Sequence, residues 1–170
     1  MKHQLIIRQI WELIQGEMEY VADLETMETL FVDGLRQADV AVIDRSRLEI
    51  FLDDAFHNYR SLLEVHSDLL EKLHDRQTKQ HPQLGTISDL VLDAALNWQD
   101  AYMEYVTHYP ISKAKVQEEQ QRNSRFATFL EVRSPACQVS DVSGMFEKSS
   151  IAAARHLSLH QSAYPTIVAL

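Results

Sequence analysis

The sequence predicts an all-α chain: an elongated antiparallel helical bundle followed by a weakly ordered C-terminal tail. Three observations carry this. Gly and Pro number only 4 each in 170 residues, too few for a turn-rich sandwich or barrel. Apolar residues recur at steps of three and four over long stretches, the period of a helix with one buried face. Breakers fall in three places, Asp39 to Asp44, Gln80-His81-Pro82-Gln83-Leu84-Gly85 and Tyr109-Pro110, and they leave four helical segments within one domain-sized core.

The first segment carries Ile7, Ile10, Ile14, Val21, Leu24, Phe31 and Leu35 on steps that sum to sevens, widened by Ile6, Leu13, Tyr20 and Met27. A continuous helix from Leu5 to Leu35 would be roughly 45 Å long at ~1.5 Å per residue. The second opens on Ser46-Arg47-Leu48-Glu49, whose Ser and Glu have capping-box spacing. Leu48, Leu52, Ala55, Tyr59, Leu62, His66, Leu69 and Leu73 then predict an unbroken helix, an antiparallel partner for the first. The third starts at Thr86-Ile87-Ser88-Asp89 and buries Ile87, Leu90, Ala94, Trp98, Ala101, Tyr105 and Val106 until Pro110, which should end it. The fourth runs from about Ser112, with Asn123-Ser124 recapping it before Phe126, Phe129 and Leu130. Residues 5–137 therefore form the bundle. Residues 138–170, with one short helix-like run from Met145 to Leu159, form a tail of different character.

Lys+Arg 16 against Asp+Glu 25 gives a net charge of -9, which argues against nucleic acid or anionic lipid as partner and points to a protein. The single cysteine, Cys137, cannot form an internal disulfide, and a reducing, cytoplasmic setting is expected. The first residues show no apolar h-region with a small-residue cleavage site and no apolar run reaches membrane length, so neither a signal peptide nor a membrane span is expected. Enzyme motifs are absent as well: there is no Gly-rich phosphate loop, Gly-x-Ser-x-Gly or His-Glu-x-x-His. Asp54-x-x-His57 is the only helical carboxylate–His pair of di-iron spacing, where two are needed with further glutamates. His66 falls in an apolar stripe and reads as a hydrogen-bonded core histidine. No cofactor and no metal are expected.

One feature is not explained by packing. Glu12 lies about 200° around the first helix from Ile10, opposite the core, and shares that side with Arg8, Gly16, Glu19 and Asp23. A glycine inside a helix costs about 1 kcal/mol relative to alanine unless something must come close. On spacing alone the face is an ordinary solvated surface with a tolerated glycine.

The run Ile10-Trp11-Glu12-Leu13-Ile14-Gln15-Gly16-Glu17-Met18-Glu19-Tyr20-Val21-Ala22-Asp23-Leu24 resembles the first signature of the Dbl-homology (DH) domain of Rho guanine-nucleotide exchange factors, Glu-Leu-Leu-x-Thr-Glu-x-x-Tyr-Val-x-Asp-Leu. Leu62-Leu63-Glu64-Val65-His66-Ser67-Asp68-Leu69-Leu70 resembles the second region. Tyr102 to Pro110 and Asn123 to Leu130 are similar to the later Tyr-x-x-Tyr-x-x-x-Tyr and Asn-x-x-Phe-x-x-Phe-Leu segments, with a fungal flavour. The resemblance covers about Leu5 to Cys137, and Gly16 stands where the family usually has Thr.

The resemblance implies a helical bundle that binds a Rho-family small GTPase, remodels its switch regions and speeds GDP release, with no covalent step. It assigns the switch-I contact to Glu12 and places Gly16 in the same GTPase-binding surface. The family's third signature, approximately Lys-Pro-x-x-Arg-x-x-x-Tyr-x-x-Leu-Leu on a helix beside the first, has no counterpart after Pro135-Ala136-Cys137. Codons CAG-GTA-AGT, an exon end with its donor splice site, would encode Gln138-Val139-Ser140, so the tail is expected to be translated intron or frameshifted sequence. A partial DH domain should leave an apolar flank uncovered and self-associate through it. Two functions stay open: an exchange factor, or a truncated helical fragment that binds a partner without catalysing exchange.

Overall fold

The computed structural model describes residues 2–81 and 85–133, with side chains from residue 7 onward. The expected boundary at Cys137 and the helix-like run from Met145 to Leu159 lie outside the described residues. Within them every regular element is helical: α1 (Lys2–Met27), a π-helical stretch (Glu28–Asp33), α2 (Gly34–Arg36), α3 (Arg45–Ala55), α4 (Tyr59–Gln80), α5 (Ser88–Asn97), α6 (Gln99–Arg122) and α7 (Ser124–Arg133). At ~1.5 Å per residue, α1 alone spans roughly 39 Å.

The first stripe folds as its period requires. Ile10, Ile14, Val21, Leu24, Met27, Phe31 and Leu35 are all buried, whereas Ile7 turns out to be 40% exposed. Helicity runs on to Arg36, as expected, but residues 28–33 widen into a π-helix. Thr26 and Thr29 hydroxyls donate to the carbonyls of Ala22 and Glu25 on its approach, a local competition that bends helices. Arg133 Nε donates to the Leu30 carbonyl at 2.8 Å. Its guanidinium also lies 4.2 Å over the Phe129 ring. Gly34 makes room for this, since a Cβ there would stand 3.0 Å from Arg133 Nε.

Three expectations about the connections need correction. The capping box of Ser46 and Glu49 does not form. Asp44 is the N-cap, accepting from the Ser46 amide at 2.9 Å, and Glu49 instead takes a bidentate pair from Arg36. The second helix is not continuous either. It breaks at Phe56 to Asn58, where Asn58 adopts a left-handed φ of 58°, tolerated best by Asn among non-Gly residues. Asn58 Nδ2 donates to the Ala101 carbonyl at 2.8 Å and ties the elbow to α6. Third, Pro110 does not end a helix. It lies on the solvent side of α6 beside exposed Val106, where the carbonyl that loses its N–H partner can be hydrated. The bend falls at Trp98 instead.

The elbow divides the labour of the second stripe: α4 packs along α1, and α3 packs along α6. Two apolar clusters result. Ile10 and Ile14 meet Leu69, Leu73, Ala94 and Trp98, while Tyr20, Leu24, Phe31 and others meet Tyr59, Leu62, Phe51, Phe56 and the α7 pair Phe126 and Phe129. Sequence numbers rise along α1 as they fall along α4, so the two are antiparallel. Among the residues expected in the core, Leu90 is only partly buried and Val106 is exposed.

A second, polar hub closes the far end. Glu119 is 2% exposed and accepts from Arg47 at 2.9 Å, Asn123 at 2.9 Å and Arg122 at 2.8 Å. Asn123 also caps α7 through Oδ1, accepting from the Arg125 and Phe126 amides, and its Nδ2 donates to the Val42 carbonyl. Burial raises the Glu119 carboxyl, but the bonds from Asn123, Arg122 and Arg47 outweigh it and hold the group below its ordinary 4.5.

A depressed folded value means that the Glu119 contribution is complete above pH 4.5 and is lost as pH falls through the lower folded value. Glu119→Leu should lower stability at pH 7 by about 1–3 kcal/mol, because Arg47 and Arg122 are half-exposed and stay hydrated without it. Urea melts at pH 7 and at pH 3 check this: the gap between parent and variant should shrink at the lower pH.

Candidate functional site

At about 100° per residue, the circumference of α1 divides into three sectors. Ile10, Ile14, Glu17, Val21 and Leu24 fill the buried one. Opposite lie Arg8, Glu12, Gly16, Glu19 and Asp23, exposed except for half-buried Asp23. Between them runs an apolar flank of Ile7, Trp11 and Met18, with Trp11 56% exposed, and exposed Ala22 continues it. The third sector was not foreseen as such, because Ile7 had been assigned to the core stripe. Steps of four and seven from Ile7 through Trp11 to Met18 were its available signal.

Glu12 therefore points outward, as the angle from Ile10 requires. Arg8 Nε donates to its Oε1 at 2.8 Å, an exposed i, i+4 pair of the kind worth only about 0.3–0.5 kcal/mol. A partner can take over that carboxylate at small cost. Gly16, one turn on, has no atom within 4 Å of where a Cβ would stand. Internal packing does not require a glycine there, and the backbone at this turn is open to close approach. The sector carries Arg8 against Glu12, Glu19 and Asp23, an acidic surface suited to a partner presenting donors or cations.

Behind this face, in the buried sector of α1, Glu17 meets His66 of α4. His66 is fully buried, as expected, and its Nδ1–H donates to Glu17 Oε2 at 2.8 Å. Glu17 is fully buried too. Its signal was a charged residue at a core angle of α1, three residues after Ile14; its partner stands 49 positions away. Tyr102 places its hydroxyl 2.7 Å from His66 Nε2. Burial, followed by the neighbouring Tyr20 and Glu17, drives the Tyr102 phenol far above its ordinary value, so that it keeps its proton.

Other chemistry-bearing residues do not converge. Asp54 pairs with Lys115 at 3.1 Å, while His57 meets Glu104 at 2.9 Å and stacks on His108. Among the described residues no group of three or more His, Cys, Asp or Glu is arranged to hold a metal ion, and no helix is long and apolar enough to cross a membrane.

Comparison with known proteins bears on the family of the chain. Residues 9–149 match the RhoGEF domain. Rho1 guanine nucleotide exchange factor 3 of Schizosaccharomyces pombe is 35% identical over 122 residues, which are 71% of this chain and 10% of that protein. The matched stretch thus spans a tenth of the relative's length.

Folding and surface should separate in three variants, read by thermal or urea melts. Glu12→Ala should change stability by no more than about 0.5 kcal/mol, as exposed substitutions do. Ile14→Ala should destabilise by about 2–5 kcal/mol through a buried cavity. Gly16→Ala should stabilise by about 0.5–1 kcal/mol, since the added methyl meets nothing and the helix gains propensity.

Proposed function

The chain belongs to the RhoGEF domain family, and from that premise we propose that the outward sector of α1 binds a Rho-family GTPase in the cytoplasm and promotes GDP release. A protein of this family regulates a GTPase and is not a bond-breaking enzyme. The work is done by differential binding: a surface that fits the nucleotide-free conformer better than the GDP-loaded one shifts the population toward nucleotide release. Glu12 is the switch-I contact in this reading. Its carboxylate is exposed, stands on a helix and, among the described residues, accepts from Arg8, and that is the observation which carries the assignment. Gly16 belongs to the same surface and lets the partner backbone come close to α1.

A second reading is favoured by the flank of Ile7, Trp11 and Met18. The family's third signature would lie on a helix beside α1, and the sequence after Cys137 lacks it. A chain with that flank uncovered could bind a partner without catalysing exchange, or associate with itself.

Release of a fluorescent GDP analogue from a panel of Rho-family GTPases tests the first reading. The chain should accelerate release from at least one of them. Loss of a charge-assisted hydrogen bond of ~1.5–3 kcal/mol in Glu12→Ala should slow that release by roughly ten- to a hundredfold. No acceleration across the panel by a folded chain would favour the fragment reading. Unchanged rates with Glu12→Ala would return its face to plain solvated surface.

A further inference from the structure

The outward side of α5 and α6 carries an apolar stripe that the proposed function does not use. Leu92, Leu96, Gln99, Met103, Val106 and Pro110 are all exposed, Leu96 at 72% and Met103 at 63%. Their steps alternate between four and three residues, the spacing of a seam between two helices. Ala94, Trp98, Ala101 and Tyr105, on the opposite side, are buried. The bend at Trp98 does not divide the stripe. Trp98 keeps right-handed helical dihedrals, its N–H donates to the Ala94 carbonyl at 2.9 Å, and its carbonyl accepts from Tyr102 at 3.0 Å. Contacts with α4 and then α3 also follow in antiparallel order, from Asp93 with Lys72 through Trp98 with Val65 to Ser112 with Asp54. One side of this rod therefore faces the bundle along its length, and the other faces solvent.

We propose that the stripe pairs with the same stripe on a second copy of this chain, antiparallel about a two-fold axis at the level of Ala101. A two-fold contact brings one surface against itself, so the surface must be self-complementary. About Ala101 it is: Leu92 meets Pro110 of the second copy, Leu96 meets its Val106, and Gln99 meets its Met103. Any stripe of alternating steps has this symmetry, and charge at the two ends selects the direction. One step before Leu92 stands exposed Asp89, and one step after Pro110 stands part-exposed Lys113. The antiparallel order sets Asp89 of each copy against Lys113 of the other, whereas a parallel order sets like charges together, which is unfavourable. Asp89 also accepts from Arg76, yet its side chain stays 58% exposed. Asp93 and Asp100 lie roughly 80–100° round from Leu92, at the edge of the contact, where water and salt screen them. A contact one helix wide gives a weak, reversible dimer. Glu12 and Gly16 take no part in it. That the dimer would present two GTPase-binding faces rests on the proposed function; the pairing itself does not.

The test is sedimentation equilibrium of the full chain from low to high micromolar concentration, which should show reversible exchange between monomer and dimer. Met103→Lys should raise the dissociation constant roughly tenfold or more, and Leu96→Glu, on the other half of the stripe, should do the same. Lys113→Glu should weaken the dimer several-fold by setting acid against Asp89. Asp89→Lys/Lys113→Glu should restore it, a rescue that only the antiparallel order gives. Thermal melts check that each variant folds. Trp11→Ala, on the apolar flank of α1, should leave association unchanged. A chain that stays monomeric at the highest concentration would overturn the proposal and leave the stripe to a different occupant. So would a dimer that survives Met103→Lys and Leu96→Glu, one that Trp11→Ala abolishes, or a double variant no tighter than Lys113→Glu alone. No GTPase enters the measurement, so its outcome is independent of whether exchange occurs.

Discussion

A carboxylate and an imidazole shut away from water must meet, and in this chain that requirement falls at the middle of the longest helix seam. Glu17 and His66 share one short hydrogen bond, with an apolar cluster to each side. Desolvating two such groups is unfavourable by several kcal/mol per ion unless they are paired. The apolar stripes bring α1 and α4 together, and this contact joins them where Glu17 faces His66. With the buried sector of α1 so defined, the remaining circumference follows from helix geometry alone: an acidic outward face and an apolar flank.

The far end is organised by the same physics at a polar hub. Glu119 gathers Arg47, Arg122 and Asn123, and Asn123 in turn starts α7. That helix ends with Arg133 donating to the carbonyl of Leu30 in the π-helical stretch. A π-helix leaves backbone groups in an irregular ladder, and a planar cation seated on Phe129 satisfies one of them. The end of the described chain is thereby fixed against the end of the first helix.

Much of this was legible in the sequence. The buried residues of α1, α4 and α7 sat on helical steps, and the recapping by Asn123 and Ser124 has an Asx signature that depends only on local backbone. The outward direction of Glu12 followed from its angle to Ile10. What escaped was settled by tertiary context. Asn58 looks like one more residue of the helix that the stripe through Ala55 and Tyr59 predicts, and the carbonyl of Ala101 across the interface rewards its left-handed turn. Pro110 is a breaker by propensity, yet on a solvent-facing turn the carbonyl that loses its partner is open to hydration. Ser46 and Glu49 have the spacing of a capping box, but Asp44 caps the helix by accepting from the Ser46 amide and Arg36 claims the glutamate. The Glu17 partner could not be named from periodicity, which records that a position is buried and not what it meets.

The chain belongs to the RhoGEF family, and the function proposed for it makes a thermodynamic claim: that the outward face of α1 discriminates between nucleotide states of a GTPase. An interaction of equal strength with both states shifts no population, however tight it is. The most direct measurement titrates the purified chain into a Rho-family GTPase prepared without nucleotide and, separately, loaded with GDP and magnesium, and compares the two dissociation constants. The account predicts binding at least tenfold tighter, about 1.4 kcal/mol, to the nucleotide-free form. Equal affinity for the two forms would contradict it.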